Sequence, residues 1–204
     1  MTKKVFIIQS NPSYNHLFEE LGFTLHDSME GASLIVFTGG EDVNPALYDQ
    51  PVHKSTWYNL FRDTKEAVYF NRALELGIPM VGICRGGQFL NVMSGGEMYQ
   101  DVSKHTSDHT LIDAETGETV WVTSTHHQMM KPSSKALVVA FADLHGWREV
   151  WDGQIFSREE SDMDYEVLFY EENKALCFQP HPEFQEYSQM REYFKKIINK
   201  YLEV

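Results

Sequence analysis

The stretch Met80-Val81-Gly82-Ile83-Cys84-Arg85-Gly86-Gly87-Gln88 decides the fold. An apolar strand over residues 78–83 runs into Gly-x-Cys-x-Gly, and helical spacing follows over residues 87–93. This is the strand–turn–helix pattern of a nucleophile elbow, with cysteine in place of serine. Such a turn pushes one side chain out at the carboxyl edge of a sheet. The backbone closes tightly behind it, so the neighbours must be small, as Gly82 and Gly86 are. Cys84 then faces a helix N-terminus, whose partial positive charge favours a thiolate. The Arg85 backbone N–H points to where an oxyanion would form.

Outward from the elbow, the first half of the chain alternates strand and helix signals. Strands are expected over residues 4–9 and 33–37, and helices over 14–21 and 60–76. In the second helix Leu60, Phe61, Ala67, Val68, Phe70, Ala73 and Leu74 recur at helical spacing and Gly77 closes it. The second half is richer in strands, at 119–125, 136–141, 166–170 and 175–178, with a tight turn at 172–174 and a terminal amphipathic helix over 187–202. Alternation of this kind predicts an α/β fold, a mainly parallel sheet covered by helices on both faces, with additional antiparallel strands.

Length and charge bound the rest. A chain of 204 residues is one domain long, and one catalytic domain over residues 1–204 is expected. With 17 basic and 30 acidic residues the formal charge is −13, which argues against nucleic acid or an anionic membrane as partner. No apolar run reaches the ~18 residues of a membrane span, and the N-terminus reads as a strand rather than a signal peptide. Two cysteines, Cys84 and Cys177, argue against a disulfide framework and make the cytoplasm the expected compartment. Cys177 lies within an apolar strand and reads as core.

A thiolate nucleophile requires a base and a group that orients the base. Gln179-Pro180-His181-Pro182-Glu183 follows the strand at 175–178 and offers both, with proline holding imidazole and carboxylate in register. A third piece is Thr38-Gly39-Gly40-Glu41-Asp42-Val43-Asn44-Pro45, where a buried strand ends in two glycines. Paired glycines let backbone N–H groups approach a carbonyl. Gly40, with Gly39 beside it, is expected to complete an oxyanion hole with Arg85.

Together these pieces resemble the class I glutamine amidotransferase domains. The resemblance is nearest to the stand-alone γ-glutamyl hydrolases of the γ-glutamyl-γ-aminobutyrate hydrolase type (peptidase C26). It rests on residues 38–45, then Arg62-Asp63 with Glu66, Gly77-Ile78-Pro79 and residues 82–88. Asn91-Val92, Gly95-Gly96, residues 99–102, Ser124-Thr125-His126-His127-Gln128 and residues 179–183 continue it. The resemblance implies a three-layer, flavodoxin-like sheet and a Cys84–His181–Glu183 triad. It also implies that Gln88, His126, His127 and Gln128 line the pocket for the glutamyl group. The implied reaction is thiol-dependent hydrolysis of a γ-glutamyl amide, without metal or organic cofactor. The alternative is a glutaminase component that hands ammonia to a separate synthetase or amidoligase chain, and a homo-oligomer is left open. Two departures stand out: Pro180 replaces a frequent aromatic residue, and residues 144–164, with Trp147 and Trp151, do not follow the family's pattern.

Two other features have bland expectations. The acidic stretch over 157–172 reads as a solvated loop. His105-Thr106-Ser107-Asp108-His109 could group two imidazoles and a carboxylate as in a metal site, but the resemblance places it in a loop near the active-site mouth.

Overall fold

The computed structural model describes residues 3–144, 146–150, 154–157, 163–184 and 188–204. The first half contains β1 (Lys4–Ile8), α1 (Pro12–Glu20), β2 (Thr24–Leu25), β3 (Leu34–Phe37), α2 (Leu60–Leu76), β4 (Met80–Ile83) and α3 (Arg85–Met93). After these come β5 (Glu97–Tyr99), β6 (Asp101–Val102), β7 (His109–Asp113), β8 (Thr119–Val122) and β9 (Met129–Lys131). The chain continues through β10 (Leu137–Ala142), β11 (Trp147–Glu149), β12 (Ile155–Ser157), β13 (Asp164–Tyr170), β14 (Ala175–Phe178) and α4 (Ser188–Leu202).

The main sheet has the order β2-β1-β3-β4-β14-β13-β10-β7-β8. Its first five strands are parallel and the remaining four pair antiparallel. Helices α1 and α4 pack on one face through Leu17, Phe18, Phe194 and Ile198, while α2 and α3 cover the other through Phe70, Ala73, Phe89 and Leu90. Strands β3, β4 and β14 are buried at every position, as strands covered on both faces must be. Among the described residues no helix is long and apolar enough to cross a membrane.

The position of β4 builds the site. It lies between β3 and β14, and all three run in the same direction, with Phe37 opposite Gly82 and Phe178 opposite Ile83. Their carboxyl ends therefore reach one edge together. Thr38-Gly39-Gly40 leaves β3 there, Cys84 leaves β4, and Gln179 to His181 leave β14.

Several local expectations change. Helix α3 starts at Arg85, two residues before the spacing predicted, because the elbow feeds directly into the first turn and Gly86 and Gly87 are helical despite their low propensity. Strand β8 stops at Val122, which frees Thr123 and Ser124 for side-chain hydrogen bonds. The larger change concerns α2. Its bounds match the prediction, with Asn59 capping the first turn and Gly77 closing the last in the left-handed region. Its orientation does not match: Leu60, Phe61 and Val68 are exposed, and Arg62, Asp63 and Glu66 are buried with Phe70 and Ala73. A buried guanidinium on the neighbouring helix, that of Arg85, turns this polar face inward.

The tightest backbone approach in the fold is at the elbow. A Cβ on Gly82 would overlap the Gly86 carbonyl, and a Cβ on Gly86 would overlap the Phe37 carbonyl of β3. Neither obstacle is a flexible side chain. Gly86→Ala is therefore expected to cost at least about 3 kcal/mol, read as a lowered denaturant midpoint in equilibrium unfolding.

Candidate active site

Cys84 occupies a strained turn, with φ 53° and ψ −117°. A non-glycine residue holds such angles only when its surroundings over-determine them. Here its N–H donates to the Phe178 carbonyl of β14 at 2.8 Å, and its carbonyl accepts from Gln88 N–H at 3.1 Å. The backbone is clamped on both sides and the thiol projects at the sheet edge. Arg85 is the first residue of α3, so its N–H has no acceptor within the helix.

His181 is placed from β14. Gln179 N–H donates to the Glu166 carbonyl at 2.8 Å, continuing the ladder past Phe178. His181 N–H then donates to Thr123 Oγ1 at 2.9 Å. Across Pro182, His181 Nδ1 and Glu183 Oε1 are 2.6 Å apart. The Phe184 ring stacks on the imidazole with centroids 4.7 Å apart and planes 5° from parallel. Burial disfavours the charged imidazole, but the nearby Cys84 sulfur and the Glu183 carboxylate outweigh burial and raise His181 to about 10.

Tyr14, on α1, carries no signal in the sequence pattern. Its hydroxyl accepts the Gly39 N–H at 2.9 Å and lies beside Glu183 and Cys84. Burial, reinforced by the charge of Glu183, keeps that hydroxyl protonated far above the ordinary tyrosine range. Gly39 lies between these groups: a Cβ there would sit 3.1 Å from His181 Cε1 and 3.5 Å from Cys84 Cβ. Its amide is engaged by Tyr14, so the expectation that Gly39 N–H binds substrate does not fit the geometry. Gly40, with φ +146°, is the glycine that the bend requires.

Behind this edge lies a buried ionic network. The Arg85 guanidinium pairs with Asp63 and Glu66 of α2 and stacks over the Phe89 ring, 5.1 Å from its centroid. Arg62 pairs with Glu66 at 2.8 Å and with Glu41 at 2.7 Å. The second terminal nitrogen of Arg62 donates to the Thr38 and Gly39 carbonyls at 2.9 and 3.0 Å. Asp63 also accepts from Asn44 N–H at 3.3 Å. Burial raises the Asp63 carboxyl above its ordinary range although Arg85 opposes the shift. The network thus ties the elbow to the glycine loop through α2. The Arg62, Asp63 and Glu66 that marked the resemblance gain a physical role here.

The residues expected to line the glutamyl pocket are dispersed. Gln88 is buried and its amide donates to Gln179 Oε1 at 3.2 Å. Gln128 is buried and donates to Thr56 Oγ1 and to the Gln100 carbonyl. His126 is buried as well, with Nδ1 2.7 Å from the Gln128 carbonyl. Only His127 remains part-exposed, with side-chain exposure of 37%, between Asp42 at 3.2 Å and Asp101 at 3.5 Å. The hydrogen bond to Asp42 raises its pKa.

Two further expectations are overturned. His109 begins β7 while His105 stays in the loop before it, but both are buried rather than lining a mouth, and with His126 they surround Glu166. The acidic stretch is not wholly a solvated loop, because Asp164 and Glu166 lie buried on β13, where Asp164 pairs with Arg148 at 2.9 Å. Glu159, Glu160 and Asp162 of that stretch, together with Trp151 and His145, lie outside the described residues.

A glycine-lined edge that brings a strained cysteine to a histidine–carboxylate pair invites comparison with known proteins. The family model described as Peptidase C26 matches residues 24–120. The glutamine amidotransferase-like protein YvdE of Lactococcus lactis subsp. lactis is 30% identical over 203 residues, which cover 84% of this chain and 79% of that protein. The chain belongs to the class I glutamine amidotransferase-like superfamily. NtpR of Enterococcus hirae is 36% identical over 128 residues, half of this chain and 54% of that one. Among solved structures, PurLQS of Thermotoga maritima superposes with a TM-score of 0.66 over 98% of this chain and 99% of that chain, at 18% identity. A glutamine amidotransferase of the same organism gives 0.60 over 98% and 85%, at 17% identity. Likeness at that level concerns the fold. Superfamily membership places the chain among hydrolases and amidotransferases.

The ionic network has a measurable consequence. Asp63→Ala leaves the buried Arg85 guanidinium short of one carboxylate. Because breaking a buried ion pair leaves an uncompensated charge, the loss of stability is expected to reach about 3–5 kcal/mol by chemical denaturation. A loss below about 1 kcal/mol, the level of a surface pair, would contradict the role given to this network.

Proposed function

We propose that this chain is a thiol hydrolase of γ-glutamyl amide bonds, with Cys84 as nucleophile, His181 as general acid and base, and Glu183 as the group that orients His181. The observation that carries the reading is the 2.6 Å contact of His181 Nδ1 with Glu183 Oε1, made by an imidazole that lies with the strained Cys84 against Gly39. With Nδ1 directed at the carboxylate, the other ring nitrogen is left to exchange protons with the reacting groups.

In the proposed reaction the Cys84 sulfur attacks the δ-carbonyl carbon of the glutamyl group. The carbonyl oxygen takes up the displaced electron pair, facing the N–H groups of Gly40 and Arg85. His181 gives its proton to the amine as the carbon–nitrogen bond breaks, and a thioester remains on Cys84. Water then attacks the thioester carbon, His181 accepts its proton, and glutamate leaves as the Cys84 sulfur is released. The desolvated pair of Cys84 and His181 is prepared for this sequence by the same contacts that raise His181. Tyr14 acts as a positioning residue, holding the Gly39 end of the glycine loop against Glu183.

Purified protein is expected to release glutamate from one or more of glutamine, γ-glutamyl-aminobutyrate, γ-glutamyl-putrescine and folate polyglutamate. Cys84→Ala and His181→Ala are each expected to lower turnover by at least about 10,000-fold without loss of the folded circular-dichroism spectrum. Turnover that survives in Cys84→Ala sinks the mechanism. Ammonia released from glutamine only when a second chain is added would assign the protein instead to ammonia supply for a synthetase.

The raised His181 also sets a pH dependence. The acid form is the one that protonates the leaving amine, so it persists through neutral pH and is lost as pH rises through about 10. The kcat/KM profile should therefore fall on its alkaline side near that value. A descending limb near the ordinary histidine value of about 6.5 would show that Cys84 and Glu183 do not hold the proton on His181.

A further inference from the structure

A second group of side chains, away from the thiol, converges on a single carboxylate oxygen. Glu166 Oε1 lies 3.0 Å from His105 Nδ1, 3.3 Å from His109 Nε2 and 3.3 Å from His126 Nε2. All four side chains are more than nine-tenths buried. None of these four facing atoms has a hydrogen-bond partner of acceptable geometry, and neither has Glu166 Oε2. Buried polar atoms left in that condition require an explanation.

The far side of each ring restricts what the near side can be. His126 Nδ1 lies 2.7 Å from the Gln128 carbonyl and His109 Nδ1 lies 3.2 Å from the Ser107 carbonyl. A carbonyl only accepts, so both Nδ1 atoms carry hydrogen. In the neutral rings both Nε2 atoms then present lone pairs to the carboxylate. Electron-rich atoms that face one another in the interior repel unless a cation lies among them. A proton on His105 Nδ1 or on Glu166 would relieve one of these contacts, but it cannot satisfy both Nε2 lone pairs of His109 and His126, and further protons would make buried rings cationic around one carboxylate, which is costly.

We infer that His105, His109, His126 and Glu166 form a buried binding site for one divalent metal ion of the zinc type. Metal–ligand distances of about 2.0–2.2 Å in a tetrahedron place ligand atoms roughly 3.3 Å apart, close to the three spacings around Glu166 Oε1. The ligand atoms of His105, His109 and Glu166 already lie within 4.8 Å of one another; His126 is outside that group, with its Nε2 close to Glu166, so its ring must shift inward to complete the tetrahedron. Three imidazoles and one carboxylate are a donor set that suits zinc. The outer contacts also fit, because metal-bound histidines hold their second nitrogen against a carbonyl or a carboxylate. His109 and His126 use carbonyls, and His105 Nε2 faces Asp164 at 3.9 Å.

The enclosure makes this a structural site, and its position gives it a task. Its ligands come from the segment before β7, from β7, from the segment after β8 and from β13. The Glu166 carbonyl receives Gln179 N–H two residues before His181. Thr123, three residues before His126, receives His181 N–H, and Ser124 Oγ donates to the His105 carbonyl. A bound ion therefore braces the backing against which His181 is held.

The test is metal uptake by the full chain, which is read without reference to γ-glutamyl hydrolysis, so either proposal can fail while the other stands. Protein stripped with a chelator is titrated with Zn²⁺ and Co²⁺ and followed by equilibrium dialysis, cobalt absorption and thermal unfolding. One equivalent of Co²⁺ with the intense visible bands of a four-coordinate ion is expected, together with a raised unfolding midpoint. Glu166→Gln and His109→Asn should each weaken binding by at least about tenfold, and Cys84→Ala should bind as the parent does. If the ligand variants fail to fold, the parent protein decides alone: absence of stoichiometric uptake from excess metal overturns the site. Uptake that persists in folded Glu166→Gln, or disappears in Cys84→Ala, places the ion elsewhere and overturns it equally.

Discussion

Arg85 carries a positive charge into the interior immediately behind the strained Cys84 turn, and much of the architecture answers that charge. A buried guanidinium must be paired, and the partners available are Asp63 and Glu66 on α2. Helix α2 consequently presents a charged first half to the sheet and leaves Leu60, Phe61 and Val68 to solvent. Glu66 also binds Arg62, and Arg62 reaches the carbonyls of Thr38 and Gly39. One ionic requirement thus links the strained cysteine turn to the glycine loop on the adjacent strand. Such a network contributes little net stability compared with apolar packing, but once present it cannot lose a member cheaply.

The opposite wall of the site is built differently. Besides the Glu183 carboxylate, His181 is held by backbone and neutral contacts: the Thr123 hydroxyl, the extension of the β13–β14 ladder at Gln179, and the stacked Phe184 ring. Behind Thr123 and Glu166 stand the buried histidines of the second cluster. The two halves of the site thus rest on two buried polar clusters on either side of β4. Apolar packing of α1 and α4 on one face and α3 on the other holds the sheet between them.

Much of the fold was legible in residue order. The elbow at residues 82–86, the bounds of α2 and the strands at 34–37 and 175–178 rest on local constraints: backbone closure, apolar runs and glycine caps. The Cys84, His181 and Glu183 side chains were legible for the same reason, since each sits at a strand end marked by glycine or proline. The short strands β5, β6, β9, β11 and β12 were not legible. They span two or three residues each, too few for alternation to register, and β5–β9 and β6–β11 pair across distant segments.

Sequence alone determined which strand ends carry Cys84 and His181, because a sharp turn demands small neighbours wherever it occurs. The tertiary structure decided what those residues meet. Tyr14 reaches Gly39 from a helix 25 positions away in sequence, and Glu166 meets three histidines drawn from 40 to 61 positions away. It also decided that His126 and Gln128 turn inward, and that α2 buries charge rather than its apolar stripe. Periodicity records how hydrophobic a helix face is, but not which charge waits on the neighbouring element. That pairing exists only once the sheet order has brought β4 between β3 and β14.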